Sequence, residues 1–268
     1  IMKSFALLLF LPVWASAQNY AYLAGGRSAG LAHTSVTIED VWAAHHNQAA
    51  LAWIDGPSAA VSYERRYFLK DLSIGNAAFI YPSQWGTVGL SLSYFGFDLY
   101  NQSKLGLNYS RSFGKFFSFG LQINYENFYA SEGSNNPGAV TYEVGVLGKP
   151  LPQLNIGFHV YNPGNHYKNP ETEERLPVIG RLGARYAFTP EVALTAEIRK
   201  QQKIPERYGL GFEYQILEVL TLRTGAALEP LTNTFGTGLK FSSFQIDLAY
   251  EYAQVLGSNG TLSIQYRF

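Results

Sequence analysis

The chain has no cysteine. That excludes disulfide staples, thiol nucleophiles and thiolate metal ligands, and leaves no acceptor for a cysteine-linked lipid. Charge is scarce: Asp, Glu, Lys and Arg make up 15% of the 268 residues, and 20 basic side chains cancel 20 acidic ones. A balanced chain with no basic face offers no footprint for nucleic acid. Past the opening stretch, no apolar run approaches the roughly 20 residues that a membrane-crossing helix needs. Glycine and aromatics are abundant instead, with 26 Gly, 19 Tyr and 18 Phe. Composition fits a soluble β domain as well as a membrane barrel, so the periodicity has to decide.

The first residues read as an export signal. Lys3 is followed by an apolar run from Phe5 to Val13 and then by the small residues Ala15-Ser16-Ala17. This order predicts a signal peptide over 1–17 and a mature chain from Gln18. The run is too short to span a bilayer as a helix.

From Gly56 onward the side chains alternate with period two, which is the signature of strands. About 14 segments begin near Ser58, Leu72, Gly86, Ser103, Phe116, Ala139, Gln153, Val178, Val192, Arg207, Val219, Asn233, Gln245 and Gly260. In one of them Phe117, Phe119, Leu121, Ile123 and Tyr125 oppose Ser118, Gly120, Gln122, Asn124 and Glu126. One face is apolar and aromatic-ended; the other carries charges, amides and glycine. Segments of about ten residues with this pattern suit tilted, membrane-spanning strands. Even-numbered connections such as Pro82-Ser83-Gln84, Gly114-Lys115 and Ser242-Ser243 are tight, with the sixth, Gly148 to Pro152, somewhat longer. The long connections, Ala130 to Gly138 and Tyr161 to Pro177 among them, fall at odd positions. Short turns on one side and longer loops on the other are expected of outer-membrane barrels. Hydrocarbon leaves unpaired backbone groups unsatisfied, so the sheet must close. The expected fold is an all-β, antiparallel transmembrane barrel over 57–268, placed in the outer membrane against lipid and lipopolysaccharide.

The polar faces would point into the lumen. They carry Arg66, Lys104, Arg181, Arg185, Arg199, Arg223, Lys240 and Arg267 against Glu64, Glu126, Glu143, Glu197, Glu213, Asp247 and Glu251. A selective filter would show a one-sided ring of charge. Balanced signs predict cross-lumen ion pairs, with Arg199 and Glu213 on neighbouring strands as one candidate.

Residues 18–56 do not alternate. Val36, Ile38, Val41, Trp42, Leu51 and Trp53 require burial, which predicts a lumenal plug or hatch with a small helix, Thr37 capping it with Asp40 at capping-box spacing. The segment also carries a motif: Gly26-Arg27-Ser28-Ala29-Gly30-Leu31, the acidic pair Glu39-Asp40, then Trp42 and Asn47-Gln48-Ala49-Ala50-Leu51. It resembles the N-terminal region of the long-chain fatty-acid transporter (FadL-like) superfamily, and more closely its Bacteroidota branch with the PorV and PorQ proteins of type IX secretion. Asn47, Ala49 and Leu51 match the family's Asn-Pro-Ala-Gly-Leu; Gln48 and Ala50 replace its Pro and Gly. The resemblance implies a 14-stranded barrel, and either passage of hydrophobic small molecules or docking of secretion or envelope proteins.

Other motifs carry less. His45 and His46 are adjacent and would diverge on a helix, so hatch contacts are expected rather than a metal site. His159 and His166 stand alone near a long loop. Gly25 to Gly30 lacks the Lys-Ser/Thr of a phosphate loop. No Ser/His or Asp/His constellation stands out, so no enzyme, metal or cofactor is expected.

Overall fold

A computed structural model describes residues 23–131, 138–169, 173–255 and 257–268. The signal peptide expected over 1–17 and residues 18–22 lie outside the described residues. The N-terminal part holds two short helices, α1 (Gly26–Gly30) and α2 (Ala43–His46), and a 3-10 segment, Gln48–Trp53. The strands follow: β1 (Ser58–Arg66), β2 (Ser73–Ser83), β3 (Gly86–Phe97), β4 (Tyr100–Phe113), β5 (Phe117–Ala130), β6 (Gly138–Leu151), β7 (Leu154–Tyr161), β8 (Tyr167–Asn169) and β9 (Glu174–Arg175). After these come β10 (Ile179–Ala187), β11 (Val192–Gln201), β12 (Arg207–Leu217), β13 (Leu220–Leu228), β14 (Thr232–Phe241), β15 (Phe244–Ala253) and β16 (Gly257–Arg267).

Fourteen of these form one closed antiparallel barrel in chain order, and β8 and β9 pair separately. The closing ladder joins β1 to β16, from Ser58 opposite Arg267 to Arg66 opposite Asn259. No barrel edge is left open, as a sheet in hydrocarbon demands. The last residue reinforces the seam: the Phe268 amide donates to the Pro57 carbonyl at 3.0 Å, and its ring meets those of Phe79 and Tyr266.

Alternation sorts the two faces. Along β5, Ser118, Gly120, Gln122, Asn124 and Glu126 are buried, while Leu121, Ile123 and Tyr125 are exposed. Leu105, Leu107, Leu182, Leu210, Phe235 and Leu248 are likewise exposed on the outer wall. That wall is the apolar belt of a membrane barrel.

The even connections are all tight, and they share the end at which β1 begins and β16 finishes. The sixth is shorter than its sequence suggests, because β6 runs on to Leu151 through a register shift beyond Gly148. At the opposite end, the β8–β9 hairpin lies within the longest connection and leads into Leu176, which packs with Phe128, Ala139, Tyr161 and Ile179. Residues 23–56 fill the lumen.

Candidate functional site

The hatch is held by three kinds of contact. The first is an apolar cluster. Ala24, Val41, Trp42, Ala43, Ala44, Ala49, Ala50 and Leu51 pack with the wall residues Ala60, Ala78, Ile80 and Leu147. Trp42 is the largest fully buried side chain of the set. On the outer face of the same strands lies an apolar groove of about 340 Å³, bordered by Val61, Ala77, Phe79, Leu90 and Leu92. At Ala60 and Ala78, directly opposed in the β1–β2 ladder, the wall between hatch and groove carries only methyl groups.

The second is backbone docking. Glycines face each other across three ladders: Gly120 with Gly145, Gly157 with Gly183, and Gly211 with Gly225. A Cβ at Gly157 would lie 2.5 Å from the Val36 carbonyl oxygen, and one at Gly225 2.7 Å from the Ala32 nitrogen. The missing side chains let the hatch main chain rest on the wall. Wall side chains satisfy it there: Gly26 N donates to Ser263 Oγ at 2.9 Å, and Thr234 Oγ1 donates to the Gly30 carbonyl at 2.9 Å.

The third is a buried polar network. Arg27 donates to both Glu213 oxygens, at 2.9 and 2.7 Å, and reaches Asp40 at 3.4 Å. Arg223 bridges Glu213 and Asp247, 2.7 Å from each. Arg181 holds Glu197 through two nitrogens, at 2.6 and 3.0 Å, and donates to the His46 carbonyl, while Glu197 accepts from Val36 N at 2.9 Å. Gln48 bonds Gln122 and Glu143, at 2.8 and 3.0 Å. Glu143 also meets Lys104 and His159, both at 2.9 Å. Glu39 accepts from Lys149 at 2.7 Å and Asn155 at 2.6 Å. Buried charges of this kind must be paired and hydrogen-bonded.

No family model matches the sequence, and no curated protein matches it. Solved structures do. A FadL homologue from Pseudomonas aeruginosa superposes with a TM-score of 0.68 at 14% identity, over 91% of this chain and 98% of that one. The toluene transporter TbuX of Ralstonia pickettii gives 0.69 at 12% identity, over 93% and 99%. The toluene transporter TodX of P. putida gives 0.67 at 12% identity, over 91% and 98%. The fold is the FadL-type barrel.

Within this FadL-type barrel the motif residues take separate jobs. Asn47 is the hub: its Nδ2 donates to the carbonyls of Val36 (2.7 Å) and Val146 (3.1 Å), and its Oδ1 accepts from Ala49 N, starting the 3-10 turn that buries Ala49 and Leu51. Gly26 and Gly30 lie at the ends of α1, against Asp247 and Gly236, where a side chain would not fit. Asp40 accepts from Trp42 N at 2.9 Å, which replaces the capping box expected from Thr37: α2 starts only at Ala43, and Thr37 makes no cap.

The lumen charges divide. Arg27, Glu213, Arg223 and Asp247 form one connected chain, and Arg181 with Glu197 forms a separate pair against the hatch. Arg185 reaches Glu213 at 3.7 Å from its margin. Glu64 and Arg66 pair within β1 at 2.8 Å, and Glu251 meets His33 at 3.2 Å. Arg267 stands apart at the rim, largely exposed beside Asp55. The expected Arg199–Glu213 pair is overturned by register: Arg199 opposes Arg207, and Glu213 opposes Ala193 and Arg223. His159, expected to stand alone near a loop, is buried against Glu143. Lys149 and Asn155, which hold Glu39, flank the tight β6–β7 turn, and no motif in the sequence marks them.

Burial sets the hatch electrostatics. It disfavours charge on Arg27, but Glu213 and Asp40 outweigh it and keep that guanidinium firmly protonated. It lifts the Asp40 carboxyl above its ordinary range against the pull of Arg27. It pushes His45 down to about 4, helped by Lys104, and His46 well below its ordinary value, helped by Arg181. Both histidines serve as neutral rings: His46 Nε2 accepts from Ala24 N at 3.1 Å, and His45 Nε2 meets the Leu92 carbonyl at 3.2 Å.

Proposed function

We propose that this protein is an outer-membrane channel passing small hydrophobic solutes around its hatch. The observation that carries the reading is the apolar seam: the hatch's Trp42 and alanines share one buried apolar cluster with Ala60 and Ala78 of the wall, and the apolar groove lies on the other face of those strands. Elsewhere charge pairs and close backbone contact join the hatch to the wall, and the space beside Arg27 and Arg185 is lined by charged and polar side chains, which a dehydrated solute would have to disrupt at the cost of buried ions. The seam offers only apolar surface, which an apolar solute wets without desolvation cost. The likeness to toluene transporters supports the same class of cargo. The test is uptake of an aromatic hydrocarbon into proteoliposomes holding the purified chain. Entry faster than into empty vesicles is expected; equal rates would sink the reading.

The finer affiliation, with the PorV and PorQ branch and docking in type IX secretion, is supported by the whole hatch motif, Gly26 to Leu31 with Glu39, Asp40, Trp42 and Asn47 to Leu51. Its test is recovery of envelope partners with the barrel under mild detergent at native expression. A lone monomer there, together with uptake in liposomes, leaves the solute channel standing alone.

A further inference from the structure

Three arginines stand in register across the lumen wall, on the loop side of the hatch. Arg181 of β10 is the direct partner of Arg199 of β11, and Arg199 is the direct partner of Arg207 of β12. Like charges opposed across strands repel, and a guanidinium does not escape by losing its proton. Arg181 is matched by Glu197. Arg199 and Arg207 make no ion pair with any described carboxylate. Two Arg207 nitrogens, Nε and Nη2, are buried without a hydrogen-bond partner. Such orphaned donors are rare in folded proteins and call for a partner.

Each neighbouring acid has a partner, although Glu251 Oε2, 3.2 Å from His33 Nε2, completes no hydrogen bond. Glu64 holds Arg66, Glu197 holds Arg181 and the Val36 amide, and Glu251 holds His33 and accepts from Asn259 Nδ2 at 2.9 Å. Arg66 and Arg181 lie within electrostatic reach of Arg199, and Glu251 within reach of Arg207. Four arginines therefore face three carboxylates, and one positive charge is left over. Between Arg199 and Arg207, the hatch turn Ala32–Thr34 and the bare backbone of Gly209 lies a cavity of about 10 Å³, with Glu197, already held by Arg181, also on its lining. That is the space of about one water-sized sphere.

We infer that Arg199 and Arg207 hold a compact monovalent anion of the chloride class, clamped between the barrel wall and the hatch turn. One such ion cancels the surplus charge, answers the orphaned Arg207 donors and fits the cavity. So small a space suits a compact ion better than a carboxylate or phosphate group. Bound only by the folded lumen, the ion would stabilise the seated hatch by mass action. The inference does not depend on the transport reading.

The test is thermal unfolding of the full chain in detergent, with sodium chloride exchanged for sodium gluconate at constant ionic strength. A midpoint that rises with the logarithm of chloride concentration is expected, about 4 °C at ten times the dissociation constant, matched by bromide and absent with acetate or sulfate. Arg199→Gln and Arg207→Gln should each abolish the halide dependence. An equal midpoint in every salt, an equal rise with acetate or sulfate, or a halide effect that survives in both variants would overturn the site. Should either variant fail to fold, crystals of the unaltered chain grown in bromide decide: anomalous density touching both guanidinium groups supports the inference, and its absence there refutes it.

Discussion

Gly145 faces Gly120 across the β5–β6 ladder, and Asn47 and Ala49 of the hatch occupy the room that a side chain at either glycine would take. The wall is notched where the hatch is most rigid, at the hub made by Asn47. Gly145→Val should therefore leave the outer face and the strand ladder intact while it displaces the hatch. The expected result is a barrel that still assembles, loses about 1–3 kcal/mol or more through overpacking, and conducts ions more freely across a planar bilayer. Gly75→Ala, where an added Cβ meets nothing within 4 Å, should leave stability and conductance unchanged. Equal behaviour of the two variants would show that the notches do not seat the hatch.

Glu213 is the junction of the ionic network, since it serves Arg27 of the hatch and Arg223 of the wall together. Removing one partner of a buried ion pair strands the other, at about 3–5 kcal/mol. Glu213→Ala takes the closest carboxylate from Arg27 and one of two from Arg223, leaving Arg27 only Asp40 at 3.4 Å and Arg223 only Asp247, whereas Arg27→Ala leaves Glu213 with Arg223. Denaturant titration should therefore find Glu213→Ala the more damaging of the two, and the double variant less damaging than the sum of the singles. Additive losses would mean that the two residues act independently.

The barrel was legible in the sequence because alternation is a local signal that lipid enforces at every outward position. Phe117 to Glu126 reads correctly from the ten residues alone. What sits opposite what is not local. Arg199 and Glu213 lie on adjacent strands with suitable charges, yet register sets Arg199 against Arg207, and a period-two pattern says nothing about register along the neighbouring strand. The lumen contacts were partly hidden for the same reason. Glu143 gathers Lys104, His159 and Gln48 from two other strands and the hatch, and only closure of the barrel brings them together. The glycine notches had no side chains to notice; their pairing appears once the ladders are aligned.

If solutes leave by the apolar seam, the outer groove is their exit. Ala77 borders it and faces lipid, opposite Val61 and Leu92. Ala77→Trp should fill much of the groove while changing stability little, because the new ring replaces lipid contacts with its own. Hydrocarbon uptake into proteoliposomes should fall severalfold, with the unfolding midpoint unchanged within error. An Ile123→Trp control, also on the outer wall but on β5, should transport normally. Full transport by the Ala77 variant would place the exit elsewhere.

The hatch histidines give the protein a defined acid sensitivity. Both are neutral and buried, and their proton affinity in the folded state lies below that of the unfolded chain, near 6.5, with His45 at about 4. The unfolded state therefore binds more protons as the pH falls, and stability declines with it. The loss begins near pH 6.5. For His45 it levels off below about pH 4; for His46, whose ring must stay neutral to accept from Ala24 N, it continues lower. Each histidine contributes at most about 1.4 kcal/mol per pH unit in its window. Asp40 works the other way, since burial raises its carboxyl and its protonation favours the folded hatch; as one group against two, it reduces the slope without reversing it. Intrinsic fluorescence of Trp42 and Trp53 in the full chain, followed through denaturant at a series of pH values, should show the midpoint falling between pH 6.5 and 4. His46→Gln keeps an acceptor for Ala24 N but cannot titrate, so it should flatten the slope by the share of one histidine. A midpoint as steep in that variant as in the original chain would mean that the acid response resides in the barrel wall rather than in the hatch.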